Sequence, residues 1–221
     1  MSSVMTEPRT IEQNQPDSLI EPSSLRSPLK IPRVSDKCAR TFQTLYDVWQ
    51  DLAASSGQMV PRKSDLRHTQ LKSILPHIMI TERLNKESIQ YRLVGTHIVN
   101  FFGADFTGRK VDVCNYLGSE NHNKLLLSVH ENVASFPCGV MMERSVCCGH
   151  GKEAIFQGLC LPLADNDGTV RYYLSALDTD DPVGRSADLM APRNRFDLSS
   201  MDFRRVHYVD LGAGIPARAY V

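Results

Sequence analysis

The 221-residue chain is long enough for one ordinary domain with tails or for two small ones. Its composition, 42% hydrophobic and 23% charged, is globular, and 25 basic against 25 acidic side chains leave no net field to favour DNA, RNA or an anionic membrane. No apolar run approaches the roughly 18 residues of a membrane span, and MSSVMTEPRT lacks the basic start and apolar stretch of a secretory signal.

Residues 1–36 carry five of the twelve prolines among scattered Ser, Gln and Glu, and read as a disordered arm. The basic piece RSPLKIPR (26–33) is too thin for a nucleic-acid patch. Order is expected from about residue 37. Ser35 or Asp36 can cap a helix over 38–55 on which Phe42, Leu45, Tyr46, Trp49, Leu52 and Ala53 share one stripe. Pro61 sets an extended entry to a second helix capped by Asp65, holding Leu66, Leu71 and Ile74 and stopped at Pro76. HIMITERL and IQYRLVGT (89–96) then alternate as strands, the second with Ile89, Tyr91 and Leu93 on one face, and the short polar NKES makes them a hairpin.

The stretch YRLVGTHIVNFFGADFTG (91–108) follows, with Gly95 at the turn from strand to helix and Gly103 as a left-handed helix cap. Asp105 and Thr107 cap the next turn. A helix over 119–135, capped by Ser119, presents Leu125, Leu126, Val129 and Val133. GVMMERSVCC, EAIFQGLCLPL and TVRYYLSALD form three strands, the last two joined by the turn ADNDG. Residues 181–200 have loop composition, and within a C-terminal extension over 181–221 the run 204–212 alternates as one extra strand. Two strands, helices, then three strands suit an α+β domain with one antiparallel sheet and its helices on one face.

VPRKSDLRHTQLKSILPHIMI, YRLVGTHIVNFFGADFTG and LCLPL with GTVRYYLSALD resemble an alphaproteobacterial PAS-like family formerly catalogued as a domain of unknown function. The resemblance covers about residues 40–180 and implies a PAS-like five-stranded antiparallel sheet with a helical flank. It also implies bacterial signal perception or relay through protein contacts or dimerisation, in many cases around a small-molecule pocket.

The residues themselves display little chemistry. Gly95 and Gly103 form neither a GxGxxG fingerprint nor a P-loop. Phe101 and Phe102 are candidate pocket lining beside Tyr91, and Arg92 is a candidate anion holder if it is buried, or a surface ion pair if it is not. Arg62 and Asp65 are explained by a cap and a salt bridge. The six cysteines (38, 114, 138, 147, 148, 160) lack CxxC spacing and are expected as reduced thiols in a cytoplasmic protein. Cys147 and Cys148, with His150, invite a metal or redox reading, but adjacent strand residues point to opposite faces. His122 and His130 lie eight apart on the crossover helix with no haem-attachment motif, and DVCNYLG around Cys114 does not match a flavin-adduct loop, so the cofactor is left unknown. No catalytic signature is present.

The expectation is a stand-alone sensory or adaptor protein, not an enzyme, acting on a protein partner or a second copy. Tyr46 and Trp49 are the candidate interaction residues on the first helix, unless that helix merely covers the domain's own sheet. The alternative is a receptor with an apolar pocket in the core.

Overall fold

The computed structural model describes residues 36–114, 117–148, 153–178 and 196–217. Along the chain they form α1 (Asp36–Ser56), β1 (Ile78–Asn85), β2 (Ser88–Val94), α2 (Thr96–Phe102), β3 (Lys110–Asp112) and α3 (Glu120–Ser135). Then follow β4 (Gly139–Cys148), β5 (Glu153–Ala164), β6 (Val170–Asp178) and β7 (Phe196–Val209). The strands make one sheet in the order β3-β2-β1-β6-β5-β4-β7, with every strand pair antiparallel. The β1–β2 hairpin closes with Asn85 opposite Ser88, and the Asn85 amide oxygen accepts from the Glu87 backbone N–H at 2.9 Å. α3 begins where Ser119 Oγ accepts from the His122 backbone at 2.9 Å.

Both faces of the sheet are apolar, so both need a cover. On one face Ile78, Ile80, Leu159, Leu161, Leu163, Leu174 and Ala176 pack against Phe42, Leu45, Tyr46 and Trp49 of α1. Alternate residues of the same strands, among them Met79, Phe156, Cys160, Tyr173 and Leu177, face the side that carries α2 and α3. Trp49 is 3% exposed and its indole N–H donates to the Pro162 carbonyl of β5 at 2.6 Å, which ties α1 to the middle of the sheet.

The α+β architecture follows the expectation, with differences that have local causes. The sheet has seven strands where five and one C-terminal extra were expected, the unforeseen one being the short β3, and the helices lie on both faces because α1 takes the side opposite α2 and α3. The expected second helix is three separate 3-10 turns, Lys63–Asp65, His68–Leu71 and Leu75–His77. Asp65 ends the first of these and caps nothing, while Pro76 lies inside the third.

β7 starts at Phe196, well before the expected 204, and ends at Val209. Two breaks in its register with β4 change the phase of its alternation, so Phe196 and Leu198, then Met201 and Phe203, then Val206 and Tyr208 turn inward in succession. A bulge also interrupts β2. Thr81 pairs with Tyr91 and Ile80 with Leu93, leaving Arg92 extra, so Leu93 packs on the α1 face while Ile89 and Tyr91 stay on the other. The N-terminal arm, the cap position Ser35 and the loop 181–195 lie outside the described residues.

Trp49→Ala is expected to destabilise the fold by about 3–5 kcal/mol through the cavity it leaves. Trp49→Phe, which keeps most of the ring but not the donor, should lose about 1 kcal/mol. Equilibrium urea unfolding of the two variants beside the parent measures both.

Candidate functional site

The glycine-bearing stretch builds one wall of the interior. A Cβ on Gly95 would fall 2.2 Å from the Pro76 carbonyl oxygen, so this position needs glycine because two backbones nearly touch there; its φ of −66° is open to any residue. Gly103 ends α2 in the left-handed conformation, at φ 67°. Asp105 then accepts from the Thr107 backbone N–H at 2.8 Å. Between these corners α2 points Ile98 and Phe102 into the core.

The four residues expected to share a pocket divide between the two faces. Tyr91 is buried among Ile98, Phe102 and Phe106 on the α2–α3 side. Phe102 is also buried there, and Phe101 is half-buried, edge-on to Phe102 at 4.8 Å and stacked on Phe196 at 4.8 Å. Arg92 lies on the opposite side, 46% exposed and paired with Glu82 at 2.5 Å. There it borders a cleft of about 140 Å³ with Lys63, His68 and Leu93. Tyr46 and Trp49, the expected interaction residues, are 7% and 3% exposed and turned onto the chain's own sheet.

The charged group in the core is one that no motif marked. Arg144 of β4 is 3% exposed and shares the inward phase of Val140, Met142 and Val146. Its Nε and Nη2 have no hydrogen-bond partner, and no described carboxylate pairs with it. The guanidinium carbon sits 5.1 Å from the centre of the Phe156 ring and 5.8 Å from that of Phe203. Gly158, on the neighbouring strand, lies beside the head group: a Cβ there would sit 3.5 Å from Arg144 Nη2, an ordinary contact distance. Burial pulls the Arg144 pKa down, with Tyr91 and Cys160 acting the other way, yet a guanidinium keeps its proton in a protein. His122 of α3 is fully buried, stacks on the same Phe203 ring at 4.8 Å and 20°, and has the Leu117 backbone as its nearest polar neighbour.

The PAS domain family model matches residues 38–178, from the start of α1 through the end of β6. The chain belongs to the PAS domain family. Solved structures with a similar course include a light-oxygen-voltage domain studied with a flavin analogue, at 16% identity and a TM-score of 0.38, covering 54% of this chain and 84% of that one. The LOV protein of Rhodobacter sphaeroides is similar at 11% identity and a TM-score of 0.38, covering 56% and 72%. The Vibrio cholera VqmA-ligand-DNA complex is similar at 14% identity and a TM-score of 0.35, covering 51% of each chain. With every TM-score below 0.5, these likenesses add no argument to the family match. No curated protein matches the chain.

The remaining titratable groups of the PAS interior are satisfied or inert. His130 Nδ1 lies 2.7 Å from the Leu126 carbonyl and its Nε2 3.3 Å from Thr81 Oγ1, so this histidine is held at both ends. Burial pushes the thiols of Cys138 and Cys160 up to about 12 and about 11, well away from the reactive thiolate range. Cys147 is exposed and Cys148 half-buried on alternate sides of β4, and His150 lies outside the described residues. Among the described residues no three metal-ligating side chains cluster. No described helix is long and apolar enough to cross a membrane.

Burial pulls the pKa of His122 from 6.5 down to about 3, helped by the nearby Arg144 charge, and that of His130 down to about 4. In the unfolded chain both take up a proton near pH 6.5, while the folded protein keeps both neutral. Their stabilisation is therefore complete above 6.5 and is lost as the pH falls toward 4, by up to about 1.4 kcal/mol per pH unit for each histidine. Urea unfolding across pH 7.5 to 4.5 should show this slope, and His122→Phe should remove close to half of it.

Proposed function

We propose that the chain is a sensory PAS module whose input is a small molecule held between the sheet and helices α2 and α3, and whose output is a protein–protein contact. The observation that carries the input is the Arg144 guanidinium, buried yet without a partner for Nε and Nη2. An unpaired buried ion costs several kcal/mol, and a well-packed apolar side chain in its place would be more stable. A ligand that meets the guanidinium supplies the missing partner.

The output rests on β5. Phe156 and Gly158 face the interior beside Arg144, while Leu159, Leu161 and Leu163 of the same strand seat α1, and Pro162 accepts the Trp49 hydrogen bond. A shift of β5 when the interior fills moves that seat. The accessible side of α1 is polar, with Gln43 donating to Asp47 at 2.8 Å, and suits a protein partner or a second copy of the chain. In this arrangement Tyr46 and Trp49 transmit the change and do not touch the partner.

Native mass spectrometry of the full chain purified from its own cells tests the input. The expected spectrum has a species heavier than the bare chain that returns to the bare mass on gentle activation. Amide exchange in α1 should rise when the bound molecule is removed. A bare-chain mass throughout removes the ligand input and leaves an adaptor that relays by protein contact alone.

A further inference from the structure

We infer that the interior site reads a small aromatic monocarboxylate, Arg144 holding the carboxylate and the rings of Phe156, Phe203 and His122 packing around the molecule. This rests on the reading of the interior as a ligand site. Nε and Nη2 lie on one edge of the guanidinium, the edge that takes both oxygens of a carboxylate in two parallel hydrogen bonds, and both are unpartnered. The alternation of β4 places the head group inside the core, 3% exposed, where such a pair is shielded from water.

The charge balance selects a monoanion. Arg144 is the buried cation of this region, and its neighbour His122 stays neutral because burial and the Arg144 charge both oppose its protonation. One fixed positive charge neutralises a carboxylate and leaves a phosphate dianion with an uncompensated charge in a dry site. The surroundings select an aromatic body. Phe156 and Phe203 flank the guanidinium, His122 stacks on Phe203, and Phe101 and Phe102 both contact the Phe156 ring. A flat ring can enter such a cluster in edge-to-face or stacked contact. His122 adds a neutral, flat face to this cluster through its stacking on Phe203.

The test uses the full chain and three probes: benzoate, its neutral counterpart benzamide, and phenyl phosphate. Calorimetric titration and thermal unfolding are run on the parent, on Arg144→Met and on His122→Phe. Benzoate is expected to bind the parent and raise its melting temperature. Benzamide should bind at least about tenfold more weakly, as should benzoate to Arg144→Met, the range for charged hydrogen bonds. Without ligand, Arg144→Met should melt no lower than the parent, because removing an unpaired buried charge relieves the core. That result separates a ligand-holding arginine from one that holds the fold. Equal binding of benzoate and benzamide, unaffected by Arg144→Met, overturns the carboxylate assignment while the interior stands as a ligand site. Tighter binding of phenyl phosphate than of benzoate also overturns it. No binding of benzoate to the parent overturns it too, and the native mass measurement then decides separately whether the interior holds any ligand.

Discussion

The two-sided burial of the sheet is the constraint on which the rest of the molecule depends. β5 is the clearest case. Leu159, Leu161 and Leu163 must be covered on one side and Phe156 and Cys160 on the other, so neither α1 nor the α2–α3 flank can be absent without exposing a broad apolar face. This makes α1 part of the domain core, anchored by the Trp49 hydrogen bond to Pro162, and places it one strand's thickness from the interior. A strand that is packed on both faces cannot move toward one without disturbing the other, because interiors are close-packed.

Within that frame the interior departs furthest from an ordinary core at Arg144. His130 and Tyr173 are fully engaged: the histidine with Thr81 and Leu126, the tyrosine hydroxyl donating to the His130 carbonyl at 2.7 Å. These polar groups satisfy one another and specify how α3 sits on the sheet. Arg144 and His122 do not satisfy one another; one is a cation, the other a base kept neutral by its surroundings, and they share only the Phe203 ring. The two polar clusters, packed beneath the same helix, therefore differ in kind: one is closed on itself and the other holds a buried charge without a counter-ion among the described residues.

Much of this organisation was legible in order and type. The α1 stripe, the hairpin at NKES, the Ser119 cap and the three closing strands all follow from short-range rules, and each occupies its expected place. Arg144 is legible too: in GVMMERSV it falls in phase with Val140, Met142 and Val146, so alternation alone puts it inside. β7 was less legible because two bulges reset its phase, and a strand with three successive phases shows no sustained period of two. Arg92 and Tyr91, expected to share a pocket, are divided by the alternation of β2 itself, and the bulge between them and Leu93 turns only Leu93 onto the Arg92 side.

The sequence by itself determined most of the helices and strands, α1, the β1–β2 hairpin, α3 and β4 to β6, and that the sheet would be antiparallel, because caps, turns and alternation act over a few residues. It also determined that α1 needed an apolar partner surface. Only the tertiary structure decided that this surface is the chain's own sheet, and that Phe203 from a late strand lies between Arg144 and His122. Those relations join residues many tens of positions apart. They depend on which face each strand presents after its bulges, and that is fixed only when all seven strands are paired.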